Sequence, residues 1–163
     1  MKKINYINNP DLYKALVEFK NKINAMKEGD PRPQIPNYVG DAILKISRRL
    51  ATKPNFVNYS YREDMIADAI ENCVMYIDRF NPEKSQNPFA YITQICWNAM
   101  LRRIAKEKKQ ELIKKKLRLQ AYHEGFLIPE DPEYYKSIAL DILLEDGIIA
   151  EPVKIVAEEL ENE

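Results

Sequence analysis

SYREDMIADAIENCVMYIDRF (60–80), NPEKSQN (81–87) and PFAYITQICWNAMLRRIAKEKK (88–109) decide the fold. In the first block Ile66, Ala69, Ile70, Cys73, Ile77 and Phe80 recur at three- or four-residue steps, the period of a helix with one buried face. Ser60 and Glu63 have the spacing of a capping box, in which each side chain satisfies an orphan backbone N–H. The second block is an Asn/Pro loop. The third opens on Asn87-Pro88, a second helix start, and predicts a helix from Pro88 to near Leu117.

Upstream, Asn9 is placed to cap a helix with Pro10 at its first position, where a missing N–H costs nothing. Leu12, Leu16, Phe19, Ile23 and Met26 form its apolar face, and Gly29 ends it. Asp30 to Pro36 holds too much proline for a helix interior. A further helix is expected from about Asn37, with Val39, Ala42, Ile43, Ile46 and Leu50 inward, stopping before Pro54. No stretch alternates with period two for long enough to make a strand. The expected class is all-α, a compact helical bundle with a long basic helix and an acidic, partly helical tail.

A length of 163 residues suits one domain plus a tail, drawn here as 1–118 and 119–163. Hydrophobic content of 45% is enough for a helical core, while 31% charged residues and a mean hydropathy of −0.49 imply a wet surface. The longest apolar stretch, Ile138 to Leu144, is broken by Asp141 and is far too short to span a bilayer. Met1-Lys2-Lys3 leads into polar Asn residues, unlike a signal peptide. Cys73 and Cys96 fall on apolar helical positions and read as buried reduced thiols rather than a disulfide or metal pair. The expected location is the cytoplasm.

Zero net charge hides a strong polarity along the chain. Residues 1–101 carry 14 basic and 11 acidic side chains, and residues 102–118 carry 9 basic against Glu107 and Glu111. From Leu119 onward 12 acidic residues face only Lys136 and Lys154. Such asymmetry suits a nucleic-acid contact followed by an acidic tail. The alternative is a solvated helix whose tail folds back to neutralise it.

Catalytic groups are scarce. His123 is the only histidine and lies in a polar segment, so a Ser-His-Asp or Cys-His arrangement would rest on it alone. Gly29, Gly40, Gly125 and Gly147 are scattered singly, unlike a phosphate-binding loop. Asp64 and Asp68 share a helix face, but no second carboxylate helix with matching spacing completes a metal site. No enzyme activity, metal or cofactor is expected.

On a helical wheel of the 88–117 segment, Tyr91, Gln94, Asn98, Arg102 and Lys109 share one side, with Trp97 at its edge. Ile92, Ile95, Cys96 and Ala99 take the other, toward the core. Aromatic rings stack on exposed bases, amides read base edges, and the cations beyond neutralise phosphates. Trp97 alone reads equally well as a half-buried core aromatic.

These residues carry a resemblance. Asp64-Met-Ile-Ala-Asp-Ala, Ile77-Asp-Arg-Phe80 and Tyr91-Ile-Thr93 resemble conserved region 2 of bacterial primary sigma factors. Asn5-Tyr-Ile-Asn-Asn9, Glu63-Asp-Met-Ile-Ala-Asp68, Asn87-Pro-Phe-Ala-Tyr-Ile-Thr-Gln94 and Arg103-Ile-Ala-Lys-Glu-Lys108 are similar to a narrower family, the late-transcription sigma factors of T-even-type phages. The resemblance covers roughly residues 4 to 110.

It implies a partner, host core RNA polymerase, docked through the clamp coiled coil of its largest subunit. Asp64 and Asp68 match the acidic docking positions, and Glu71 joins them on spacing alone. It also implies capture of the non-template strand of a −10 promoter element by Tyr91, Gln94, Trp97, Asn98 and Arg102, with Lys106, Lys108 and Lys109 on the phosphates. Two departures stand out. The paired tryptophans that wedge the bubble in primary sigma factors correspond to Gln94 and Ile95, and a three-residue step leaves Trp97 roughly 60° off that face. The family's C-terminal hydrophobic-acidic motif, which engages the DNA sliding clamp, is similar to Leu140-Asp141-Ile-Leu143-Leu144-Glu145, yet more chain follows it; Ile155 to Leu160 is a weaker match. Either stretch reads also as an amphipathic helix packed on the body.

The expectation is therefore a phage sigma factor for late genes, acting in the host bacterial cell, with the clamp and a coactivator as further partners. The rival expectation is a polymerase-binding adaptor, anti-sigma-like or coactivating, that never touches promoter DNA.

Overall fold

The helical periodicities become five α-helices in a computed structural model, which describes residues 6–125 and 131–146; no strand occurs among the described residues. They are α1 (Asn9–Asn24), α2 (Asn37–Ala51), α3 (Arg62–Tyr76), α4 (Pro88–His123) and α5 (Pro132–Glu145), with a 3-10 turn at Ile77–Arg79 after α3. The chain divides into two compact units, Met1–Ala105 and Lys106–Glu163. That division precedes the boundary drawn from charge at residue 118. Ile104 is the last α4 side chain in the main core, so hydrophobic packing of that unit ends there even though the helix continues.

In the first unit the core is assembled from one stripe per helix. Leu12, Leu16 and Phe19 come from α1, and Val39, Ala42, Ile43, Ile46 and Leu50 from α2. Ile92, Cys96, Ala99, Met100 and Ile104 come from the first half of α4, and Phe56, Ile77 and Phe80 from the connectors. Each large side chain buried in this way stabilises the fold by about 1.5–3 kcal/mol before entropy is counted. Helix α3 sits slightly rotated from its expected setting. Its inward row is Met65, Ala69 and Cys73, while Ile66 and Ile70 are half-buried at the core's edge.

Two expected caps are absent. Asn9 lies within α1, whose N-cap is Asn8, and its side chain serves α4 instead. Asn9 Oδ1 accepts from the Phe89 N–H at 3.1 Å, and its Nδ2 donates to Asn87 Oδ1. Asn87 in turn accepts from the Ala90 N–H at 3.0 Å, as its position predicts. Two asparagines far apart in sequence therefore satisfy two orphan donors of one helix end. Ser60 caps nothing: α3 begins one residue later than the capping box requires, at Arg62, and its N-cap Tyr61 makes no side-chain cap. Gly29 lies beyond the end of α1, taking a left-handed turn at φ +94° that favours glycine.

In the second unit the end of α4 and α5 lie together. Helix α4 reaches His123, further than Leu117, and a turn follows at Gly125 with φ +77°. Asp131 caps α5 by accepting from the Glu133 N–H at 3.0 Å. Ile138 and Ile142 are buried, and Tyr135 stacks on Tyr122 of α4 with ring centroids 4.5 Å apart. Of the two readings of the acidic tail, α5 therefore takes the one in which it folds back on the basic helix.

Candidate protein-docking and nucleic-acid faces

The outward face of α3 presents the three carboxylates read from the sequence, but in two different states. Asp64 and Glu71 are exposed. Asp68 is not a free carboxylate: Arg103 Nε and Nη2 donate to its two oxygens at 2.6 and 2.7 Å. The pair is 19% and 27% exposed on the arginine and aspartate sides, so it is screened by water only in part. One turn further along, Arg102 Nη2 donates to Asn72 Oδ1 at 2.6 Å, and Asn72 Nδ2 donates to the Asp68 carbonyl. These contacts bolt α3 to α4. Asp68 is a structural anchor, which leaves Asp64 and Glu71 as the accessible carboxylates of the expected docking face.

On α4 the expected base-reading row separates in the same way. Gln94, Asn98 and Arg102 are exposed at four-residue spacing, with Gln94 Nε2 donating to Asn98 Oδ1 at 3.0 Å. Tyr91 points inward. Its hydroxyl donates to the Tyr76 carbonyl at 2.8 Å and its ring tilts against Phe80. Burial, and then the nearby Asp78 carboxylate, push the Tyr91 phenol above its ordinary pKa. Trp97 is half-buried, its ring edge-to-face with Phe56 at 4.7 Å. It still lines a shallow depression with Phe89, Thr93 and Gln94. Neither aromatic stands free to intercalate. Ile95, expected on the core side, is half-buried and packs at the core's edge.

Lys106, Lys108 and Lys109 belong to the second unit and are exposed, and none has an ion pair among the described residues. The lysines that follow are differently placed. Lys115 Nζ donates to Asp141 at 3.2 Å and lies 3.9 Å from Glu145, while Lys116 contacts Asp146 at 2.6 Å. The hydrogen bond to Asp141 holds the Lys115 ammonium above the ordinary lysine pKa.

The proposed clamp stretch in α5 is thus partly engaged. Leu140 is 43% exposed, Leu143 and Leu144 are half-buried, and Asp141 is bound to Lys115. Ile155 to Leu160 lies outside the described residues.

Cys73 and Cys96 are fully buried and free, as their positions suggested. Their sulfurs lie 3.4 Å apart, in hydrogen-bond contact rather than at disulfide distance, and Ser47 Oγ is 3.3 Å from Cys96. The shared hydrogen bond, and then burial, hold the Cys73 thiol well above its ordinary pKa. Among the described residues no three His, Cys, Asp or Glu side chains converge as a metal site, and no helix is long and apolar enough to cross a membrane.

One set of candidate residues escaped the sequence reading: Lys45, Arg48 and Arg49 on α2, with Lys53 just beyond it. All four are exposed, and none has a carboxylate partner among the described residues. The signal was present as a basic row opposite the apolar stripe of α2. In comparisons with known proteins, no family model matches the chain and no curated sequence does.

Proposed function

We propose that this chain is a sigma-like initiation factor, binding bacterial core RNA polymerase and directing it to promoters with a −10-type element. The observation that carries this reading is the exposed row Gln94, Asn98 and Arg102 on α4, joined through Arg102–Asn72 to the helix that exposes Asp64 and Glu71. A protein docked on α3 and a nucleic-acid strand laid along the start of α4 would then be neighbours. The region 2 resemblance supplies the identity of both partners. Amides on a rigid helix hydrogen-bond base edges, and such paired contacts are worth about 1–3 kcal/mol of discrimination. Strand capture here works through Gln94 and Asn98 rather than through a tryptophan wedge. The chain supplies recognition, and the polymerase does the chemistry.

Tyr91 turned inward and Trp97 held half-buried against Phe56 favour a second reading, a polymerase-binding adaptor that leaves promoter DNA alone. Both readings share the docking face. Reversing Asp64 and Glu71 to lysine is expected to weaken binding to core polymerase by at least roughly tenfold, about 1.4 kcal/mol. Replacing Lys108 and Lys109 by glutamate should spare it while weakening DNA engagement. Affinity measured with labelled protein and purified core enzyme checks this. Equal losses in both double variants would overturn the division of labour, and no binding by the unaltered chain would overturn both readings.

A further inference from the structure

The cations of α2 do not stand apart from α4. The Arg49 guanidinium lies 4.4 Å above the Tyr6 ring centroid, and Tyr6 meets Phe89 of α4 edge-to-face at 5.9 Å. Three shallow depressions adjoin along this line. The first is lined by Tyr6, Lys45, Arg48, Arg49 and Thr52, and the second shares Tyr6 and Arg49 and adds Lys53, Phe89 and Thr93. The third shares Phe89 and Thr93 and ends at Gln94 and Trp97. We infer that this continuous trough is a binding track for single-stranded nucleic acid, with phosphates on Lys45, Arg48, Arg49 and Lys53 and the chain of bases leading toward Gln94.

Charge decides the kind of partner. Arg48 and Arg49 occupy the last turn of α2, where they also complement the helix dipole. That accounts for two cations but not for Lys45 and Lys53, and although Asp41 lies one turn before Lys45, none of the four cations forms an ion pair among the described residues. Between the cations and the amide the trough exposes ring surface from Tyr6, Phe89 and Trp97, which suits bases better than an acidic peptide. A single strand fits because its bases can reach rings set in a depression, whereas a duplex keeps them stacked inside. The track deepens the DNA-engaging half of the proposed function and does not depend on the polymerase.

The test uses the full chain, a fluorescent single-stranded oligonucleotide and no polymerase, with anisotropy titrations across a range of salt. R48Q/K53Q is compared with K14Q/K22Q, which removes the same charge from exposed positions on α1. The track predicts that R48Q/K53Q lowers the salt dependence of log K by about 0.7 per cation removed and weakens binding roughly tenfold near 0.1 M salt, with the control unchanged. Equal behaviour of the two variants overturns the track. So does displacement of the oligonucleotide by polyglutamate of matched charge, which would make the face an acidic-protein dock. A duplex that binds as tightly as the single strand overturns the strand assignment. Because polymerase is absent, none of these results bears on the docking face of α3.

Discussion

Truncating Phe56 to alanine is expected to destabilise the first unit by about 3–5 kcal/mol, the largest effect of any single change considered. Phe56 is fully buried between α2 and α3 in sequence, and it is the ring on which Trp97 rests. Its removal leaves a cavity as well as losing transfer free energy, and an edge-to-face aromatic pair disappears with it. Small domains have only about 5–15 kcal/mol of stability in total, so the variant should unfold at a much lower urea concentration. Trp97 is the chain's one tryptophan, so its fluorescence reports directly on the site. A red-shifted native emission together with a lower urea midpoint is the expected result. An unchanged midpoint would mean that Trp97 is held by something other than Phe56.

Asp68→Ala is expected to cost about 2 kcal/mol, while Asp64→Ala at a fully outward position should change stability by less than about 0.5 kcal/mol. The two residues are one helical turn apart and look interchangeable in sequence. Only Asp68 receives the two-pronged hydrogen bond of Arg103, and its removal strands a guanidinium in a partly buried place. The figure lies below that for a fully buried pair because about a fifth to a quarter of each side chain meets water. The double variant D68A/R103A should recover part of the loss, since no unpaired charge is left behind. Equilibrium unfolding of the four proteins checks this. Similar stabilities for the Asp64 and Asp68 variants would contradict the anchor. A charge reversal at Asp68 therefore confuses folding with docking, which is why Asp64 and Glu71 are the informative pair for polymerase binding.

The sequence made the helices legible because their apolar periods are strong. All five inward positions named for α2 are buried, and α4 starts where Asn87-Pro88 puts it. Caps were less legible, since a side chain's choice between its own helix and a neighbour is made by tertiary structure. Asn9 has an N-cap's sequence position and caps α4. The site was read less well for the same reason. A wheel places Asp68, Tyr91 and Trp97 on faces, but it cannot see Arg103, the Tyr76 carbonyl or Phe56 arriving from elsewhere in the chain. The α2 cations show the converse: their row is visible in sequence, while their lack of carboxylate partners needs the fold. In the second unit, the acidic residues of α5 were legible as a tail, and their pairing with Lys115 and Lys116 was one of two open outcomes.

The central claim is promoter-directed initiation, and transcription in vitro to a downstream terminator tests it most directly. The reaction holds bacterial core polymerase, this chain and a supercoiled template with a TATA-rich −10 element. The account predicts a discrete transcript that requires the chain and the −10 element and is lost when Gln94 and Asn98 are both replaced by alanine. Core polymerase bound by the chain with no promoter-specific transcript, or a transcript indifferent to Gln94 and Asn98, would contradict it.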